Sequence, residues 1–421
     1  MPFALLALAL GAFAIGTTEF VIMGLLPEVA ADLDVSLSTA GHLIAAYALG
    51  VVVGAPLLTA AATRLPRRTA LLLFLGLFVL GNLATVVAPT YEAVLASRVL
   101  AGLPHGAFLG VGALVAAHMA GPARRATAVA RMLLGLTVAN IVGVPVGTFV
   151  GQLMGWRSAF LVVAAIAVAS LVSVLAFVPE VPSPKGVRLR GEIAAMGRPQ
   201  VLWGLLTAVL GFAGVFAVFS YISPMMTEVA GMSPAGVPVV LALFGTGMTL
   251  GSLVTGPLAD RWLRPTIYGS LASLAVVLLL FSVAVQHPVS AMAAVVVLGA
   301  VGFGVTAPLQ VLIINKASGA PTIAAASNHS AFNLANAGGA WIGGLGISAG
   351  LGYTSPALLG AGAAVLGLAV ALIAGVLDRG NPDSAGEAGT DSDTAGEIDA
   401  EAGTDGAGTL PESAAEMSEH R

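Results

Sequence analysis

Apolar runs of about twenty residues or more follow one another along most of the chain. Each is interrupted by proline, glycine or charge, and each is long enough for a helix to cross a hydrocarbon layer of roughly 30 Å. Twelve are predicted, near 3–26, 40–62, 69–88, 93–118, 127–150, 157–178, 201–223, 236–258, 266–286, 289–313, 322–350 and 355–377. The charged residues between them are unevenly shared. Arg64, Arg67, Arg68, Arg124, Arg125, Arg131, Lys185, Arg188, Arg190, Arg198, Arg261, Arg264 and Lys316 lie in or beside alternate connections, whereas the other set has only Arg157. Lys and Arg are retained on the cytoplasmic side of a bilayer, so the connections after spans 2, 4, 6, 8 and 10 are expected inside, with both termini. Glu28, Asp32, Asp34, Glu92 and Glu228 then fall outside.

The longest polar internal connection, Pro179 to Gln200, separates two sets of six spans. The sets match in register. "RLPR" at Arg64 to Arg67 aligns with "RWLR" at Arg261 to Arg264, "ANIVGVPVG" from Ala139 with "ANAGGAWIG" from Ala335, and "GWRS" from Gly155 with "GYTS" from Gly352. Three matches at equivalent span positions point to a duplicated six-span unit. The expected class is an all-α membrane protein, with twelve transmembrane helices in two pseudo-symmetric six-helix bundles. The bundles cover 1–178 and 201–377, joined by a cytoplasmic linker over 179–200. Residues 378–421, low in complexity and rich in Asp, Glu, Gly, Ala, Ser and Thr, cannot bury a core and are expected to be a disordered cytoplasmic tail.

Composition agrees and adds exclusions. Of 421 residues, 57% are hydrophobic and only 9% charged, far below the quarter or so of a soluble domain. The net charge of −4 hides an opposition, because residues 1–377 carry 15 Lys and Arg against 9 Asp and Glu, while 378–421 carry 2 against 12. The chain has no cysteine, hence no disulfide, thiolate metal site or cysteine nucleophile. It also lacks Gly-x-Ser-x-Gly, His-Glu-x-x-His and Gly-x-x-x-x-Gly-Lys, so an enzyme, a resident metal or cofactor, a nucleic-acid partner and ATP-driven pumping are not expected. Ala12-Phe13-Ala14 resembles a signal-peptide cleavage site, but no Lys or Arg precedes it and the apolar run continues, so the first span reads as retained.

Polar residues inside the runs are the candidates for chemistry, since each is costly in hydrocarbon. Glu19, in "GTTEF", is suited to take up and release a proton, or else is an interfacial acid near the outer end of span 1. Arg98, in span 4, needs a polar cavity or a partner unless it snorkels. His105 shares its face, as a proton carrier or a packing histidine. His329, Asn333 and Asn336 form one stripe on span 11, fit for neutral hydrogen-bonding substrates or for interhelical amide bonds. Tyr47, Asn140, Tyr221, Gln310 and Asn315 are weaker cavity candidates. Gly143, Pro145, Gly147 and Gly151 in span 5 leave a groove for a neighbouring helix, with a bend at the proline. In "GPLADRWLR", Gly256 permits close helix approach, Asp260 caps or pairs, and Arg261 and Arg264 reach acidic groups or lipid phosphates.

These stretches carry a family resemblance. "GPLADRWLR" resembles the cytoplasmic-loop signature of the major facilitator superfamily. In the matching first-half loop Thr59 and Thr63 replace its glycine and aspartate. "RVLAG" from Arg98 resembles the fourth-span motif, whose arginine is thought to assist proton transfer. "GLTVANIVGVPVGTFVGQLMGWR" from Gly135 resembles the fifth-span motif of drug:proton antiporters, with Val144 where glycine is usual. With "GTTEFVIMGLLPEVAADL", "AAYALGVVVGAPLL" and "ASNHSAFNLANAGGAWIGG", residues 1 to about 377 are similar to the twelve-span group, nearest its chloramphenicol-exporter and sugar-efflux branch.

The resemblance implies a monomeric transporter in the plasma (inner) membrane, exchanging protons for a small organic molecule. Glu19, Arg98 and His105 would couple protons, and Tyr47, Asn140, Tyr221, His329, Asn333 and Asn336 would line the substrate cavity. Asp260, Arg261, Arg264, Gly143, Pro145 and Gly147 would serve gating and helix packing. The substrate is a drug such as chloramphenicol, or a sugar or nucleoside. A membrane sensor with the acidic tail as its output is the other class. Deleting residues 381–421 separates them: transport within about twofold of the full chain is expected, because a segment that cannot bury a core holds nothing in place.

Overall fold

The computed structural model describes residues 2–63, 65–121, 124–181, 198–317 and 321–379, which form helices joined by short connections, with no strand among them. Arg64, most of the linker with Lys185, Arg188 and Arg190, and the acidic tail lie outside the described residues. Met1–Ala374 form one compact unit, and a second begins at Gly375. Twelve membrane-length passes are present among the described residues. Spans 1, 2, 3 and 6 are Pro2–Gly24, Leu37–Ala62, Arg67–Val87 and Trp156–Phe177. Spans 7, 11 and 12 are Pro199–Phe219, Pro321–Ser348 and Ser355–Arg379. Ten described segments are apolar enough to cross a membrane on hydropathy alone; Pro234–Ala284 has double length and holds spans 8 and 9. Span 11 falls short because Asn328, His329, Asn333 and Asn336 dilute it.

The irregular spans break where proline dictates. Span 4 is Tyr91–Gly102 followed by His105–Ala120, with Pro104 between them. Span 5 is Arg125–Val138, a π-turn at Ala139–Gly143, then Val144–Met154. Pro145 has no N–H to offer the carbonyl four residues back, and the Val144 N–H reaches the Ala139 carbonyl five residues back instead. Span 10 is Pro288–Gly304 and Thr306–Lys316.

The expected break between spans 8 and 9 is present but short. Within Val237–Ala284 two helices meet in "GPLADRWLR", where Trp262 leaves helical geometry (φ −141°, ψ 64°). The Pro265 ring would collide with the Arg261 carbonyl one turn earlier, and the chain yields just after it. Gly256 makes no close approach, since a Cβ there would meet nothing within 4 Å. Asp260 and Arg261 are exposed and Arg264 is half-buried.

Small residues decide which helices touch. On span 5, Gly135 lies on the Ala9 backbone, Gly143 on Phe13 and Thr17, Gly147 on Val21 and Gly151 on Leu25, so a stripe of glycines seats span 1. The corresponding Gly339 and Gly343 of span 11 lie on Ala213, Phe216, Ala217 and Tyr221 of span 7. The aligned "AN" segments therefore make equivalent contacts in the two halves. Gly50 and Gly54 of span 2 rest on the backbone of Val99 and Leu103, and Gly102 of span 4 on that of Tyr47.

Among the described residues, the buried core common to both halves lies toward the end that carries Asp32. There Phe20 stacks on Phe216, with ring centroids 6.3 Å apart, and meets Phe219 edge-on at 5.7 Å. Leu25, Leu43, Met225, Leu241 and Phe244 belong to the same cluster. Ser38 Oγ donates to the Gly344 carbonyl (2.9 Å) and Gln152 Nε2 to that of Pro234 (3.0 Å), both across the halves. Toward the opposite end Leu8, Phe74, Phe108, Met132 and Val174 pack within the first half alone, and Val201, Ile313 and Ala317 within the second.

Gly54→Val is expected to lower stability by about 1–3 kcal/mol through overpacking, since its side chain meets backbone rather than a movable side chain. Gly110→Val, where a Cβ meets nothing, is the matched control. Thermal unfolding of the two detergent-solubilised variants checks this.

Candidate functional site

Span 1 is held on span 5 along one face and turns Glu19 into the first-half bundle. Glu19 is 8% exposed, and Arg98 of span 4 is fully buried. The snorkelling reading of Arg98 is thereby excluded. Its guanidinium donates to the Thr18 carbonyl (3.1 Å) and reaches the Thr18 hydroxyl (3.4 Å). It also lies over the rings of Tyr47 (4.5 Å from the centroid) and Phe160 (5.2 Å). Aromatic faces attract a cation without demanding a charge in return, which suits a guanidinium shut away from water. Glu19 is within electrostatic range of Arg98 and Tyr47, yet Arg98 bonds to the residue before it and leaves its own Nε unbonded. The carboxylate is thus free to change charge without breaking the hydrogen bonds that hold the cation.

Tyr47 takes a different part from the one the sequence suggests. Its hydroxyl shares a 3.1 Å hydrogen bond with His105 Nδ1, and its ring carries Arg98. His105, at the first position after the Pro104 break, is 4% exposed. Arg98 and His105 do share a face, and Tyr47 spans it because the glycine seams bring span 2 onto span 4.

Two participants had a signal that the pattern reading passed over. The Thr18 hydroxyl donates to Asn82 Oδ1 at 2.6 Å, while Asn82 Nδ2 donates to the Phe78 carbonyl at 2.8 Å. Asn82 is an amide in an otherwise apolar run, the same kind of signal that singled out Glu19. The pair ties spans 1 and 3 to the Arg98 site.

The second half contributes span 11. His329 is exposed and lies within electrostatic range of His105. Asn333 donates to the His329 carbonyl (3.1 Å) but leaves Oδ1 unbonded, and Asn336 is 1% exposed with neither amide atom bonded. Bare amides in an apolar bundle cost about 1–3 kcal/mol each, which marks this stripe as a place that expects a partner. Two other cavity candidates have partners of their own. Tyr221 is fully buried in the shared core, where it donates to the Ala340 carbonyl at 2.8 Å beside Gly41, so it seals the joined end. Asn140 is half-buried in the π-turn, its Nδ2 donating to the Leu136 carbonyl at 3.1 Å, with Gly245 of span 8 on its backbone.

The Asp32 end is also tied by charge. Asp32 pairs with Arg157 and accepts from Trp156 Nε1 at 3.1 Å, while Arg157 also donates to the Ala88 carbonyl at 3.1 Å. The hydrogen bonds from Arg157 and Trp156 hold the Asp32 carboxyl below its ordinary value. A depressed acid stabilises above its unfolded value, near 3.9, and that contribution disappears as pH falls through the folded value. Thermal stability is expected to stay flat from pH 7 to about 5 and to drop below about 4, by no more than about 1 kcal/mol for so exposed a pair. Asp32→Asn should abolish that share of the acid dependence in thermal scans.

Comparison with known proteins identifies the family and the fold. A model of the Major Facilitator Superfamily matches residues 8–344. The chain is 44% identical to the "Inner membrane transport protein YdhP" of Escherichia coli strain K12, across 88% of this chain and 94% of that protein. It is 35% identical to a "Chloramphenicol resistance protein" of Streptomyces lividans, across 80% and 88%. A "Probable sugar efflux transporter" of Helicobacter acinonychis is 29% identical across 82% and 88%. Among solved structures, a D-xylose-proton symporter superimposes with a TM-score of 0.72 at 18% identity, over 88% of this chain and 96% of that one.

Proposed function

This chain belongs to the major facilitator superfamily, and from that premise we propose that it is a proton-coupled secondary transporter that exports a small organic molecule by alternating access. It is a multi-pass membrane transporter and not an enzyme. The observation that carries the proposal is Glu19, a buried carboxylate beside a buried, independently held Arg98. Protonation of Glu19 removes the charge facing Arg98, and Phe20, the next residue, packs on Phe216 and Phe219 of the other half. A change at Glu19 is therefore adjacent to the joint on which the halves would rock. In the proposed cycle a proton binds Glu19 from the Asp32 side. That exchange happens while the halves are parted at the Asp32 end and cargo leaves there; the halves then close at that end and part at the other, where the proton is released inside. The Asp32 end faces outward and both termini lie in the cytoplasm of a bacterial cell, as the distribution of Arg and Lys favours.

Cargo is an uncharged hydrogen-bonding drug of the size of chloramphenicol. The unbonded amides of Asn333 and Asn336 support this, as does the likeness to a chloramphenicol resistance protein. Sugar efflux is the second reading, favoured by the same amides and the more distant sugar-efflux relative. Gly143, Gly147 and Pro145 hold span 1 in place throughout, while Asp260, Arg261 and Arg264 at the Trp262 kink serve the gate.

In an efflux-deficient host, expression is expected to raise the inhibitory concentration of chloramphenicol or another drug of a panel by about fourfold or more, and Glu19→Gln to return it to within about twofold of the empty host. Export in inverted vesicles should collapse when the pH gradient is dissipated. A Glu19→Gln variant with full gradient dependence would sink the assignment of Glu19.

A further inference from the structure

Thr17 and Thr18 are neighbours on span 1, yet their hydroxyls are bonded differently. Thr17 Oγ1 donates back to the Phe13 carbonyl (2.8 Å), the ordinary way for a buried hydroxyl to satisfy itself within its own helix. Thr18 Oγ1 instead donates across to Asn82 Oδ1 of span 3 at 2.6 Å. The direction of that bond is forced. Asn82 Nδ2 is committed to the Phe78 carbonyl (2.8 Å), which turns Oδ1 toward Thr18, and an amide oxygen can only accept. A hydroxyl has one proton, so with it given to Asn82 the Thr18 oxygen can only accept in turn, and the donor it faces is Arg98 Nη1 at 3.4 Å. Arg98 Nη2 holds the Thr18 carbonyl (3.1 Å), the oxygen of the peptide group that joins Thr18 to Glu19. The guanidinium is therefore kept on the backbone just before Glu19 rather than on its carboxylate, even though Arg98 Nε has no acceptor. Span 3 is placed for this by contacts of its own with span 4. A Cβ on Gly81 would lie 2.5 Å from the Ala101 nitrogen, and the Thr85 and Ser97 hydroxyls share a 2.8 Å bond. Thr18, Asn82 and Arg98 have no exposed surface, so none of these bonds is shared with bulk water.

We propose that Asn82, acting through Thr18, is a positioning residue that keeps Arg98 off the Glu19 carboxylate and so sets the pH at which Glu19 changes charge. The proposal rests on the reading of Glu19 given above. Without Asn82 Oδ1 the Thr18 hydroxyl has no partner on span 3, and it turns back to the Ala14 carbonyl as Thr17 does to that of Phe13. Nη1 then loses its acceptor and, with Nε, leaves two guanidinium nitrogens bare in a dry interior. The carboxylate one residue beyond Thr18 satisfies both, because a guanidinium and a carboxylate pair through two parallel hydrogen bonds. Such a pair favours the carboxylate, so the protonated form gives way at lower pH. Glu19 held as an anion on Arg98 no longer takes up a proton where it did before. The titratable and charged groups that face Glu19 are Arg98 from span 4 and Tyr47 from span 2, with His105 beyond Tyr47. Span 3 brings Asn82 and span 6 brings Phe160, neither of which titrates.

The test needs no cargo. Infrared difference spectroscopy of purified full-length protein in detergent follows the carboxyl C=O band of Glu19, identified by its loss in Glu19→Gln, as pH is raised stepwise. Thr18→Val exchanges the hydroxyl for a methyl group of the same shape, and Asn82→Ala removes the amide. In each, the pH at which half the band is lost is expected to fall by about one unit or more, the effect of an opposite charge brought into contact. Thr18→Ser restores the hydroxyl and should stay within about 0.3 unit of wild type, and the double variant within about 0.3 unit of the larger single shift, because the two residues act as one chain. Midpoints within about 0.3 unit of wild type in both single variants, with lowered thermal stability, reduce these bonds to ties between helices and overturn the proposal while the reading of Glu19 stands. A fall in Thr18→Val without one in Asn82→Ala, or a rise in either, overturns it as well. Absence of any band that separates wild type from Glu19→Gln overturns both readings. Should Asn82→Ala fail to elute as a monodisperse species, Asn82→Ser takes its place.

Discussion

The arrangement of the first half follows from one requirement: a guanidinium with no exposed surface must be solvated by protein. Desolvating such an ion is costly, and a single counter-ion seldom offsets it without further hydrogen bonds. Arg98 receives the Thr18 carbonyl and hydroxyl from span 1 and two aromatic faces from spans 2 and 6. Those groups arrive only if three helices come close to span 4. Glycines on spans 2 and 4 remove the side chains that would hold them apart, and the glycines of span 5 fix span 1 from behind. Packing and electrostatics are therefore one problem here. In the first half, the glycine seams bring the charge its neighbours.

The second half repeats the packing without the charge. Gly339 and Gly343 seat span 11 on span 7 as Gly143 and Gly147 seat span 5 on span 1, but span 11 carries amides and a histidine where the first half concentrates ions. The resulting asymmetry gives a first half that holds charge in a fixed cage and a second half that offers uncommitted hydrogen-bonding groups. The shared aromatic core around Phe20, Phe216 and Phe219 joins them at one end.

How much of this was legible in the sequence depended on the range of the interaction. Span number and approximate bounds follow from hydropathy, a local property, and survive with shifts of a few residues. The glycine and proline pattern of span 5 announced a close helix contact, though not which helix makes it. Glu19, Arg98 and His105 were visible because a charge or imidazole in an apolar run is anomalous wherever it points. Partners were not visible. Tyr47 looked like a cavity aromatic because nothing in one dimension says that it lies between Arg98 and His105, and Tyr221 looked alike while it sits in the joint. Asp32 and Arg157 are 125 residues apart and their pairing has no local signature. The break between spans 8 and 9 was legible because charge density marked it, although nothing local showed that the two helices meet directly at Trp262.

The π-turn of span 5 has a consequence for how this helix can evolve. An α-helix advances 3.6 residues per turn, so residues spaced by four drift steadily around its surface. Span 5 nevertheless keeps Gly135, Gly143, Gly147 and Gly151 on span 1, and the wider turn at Ala139–Gly143 takes up part of that drift midway. Losing one residue anywhere between Gly135 and Pro145 would swing the glycines beyond it by about 100° and present bulky side chains to span 1. Length in this helix is therefore under tighter constraint than composition. A substitution at a lipid-facing position such as Val142 or Phe149 changes one contact, whereas an insertion or deletion re-indexes the whole seam.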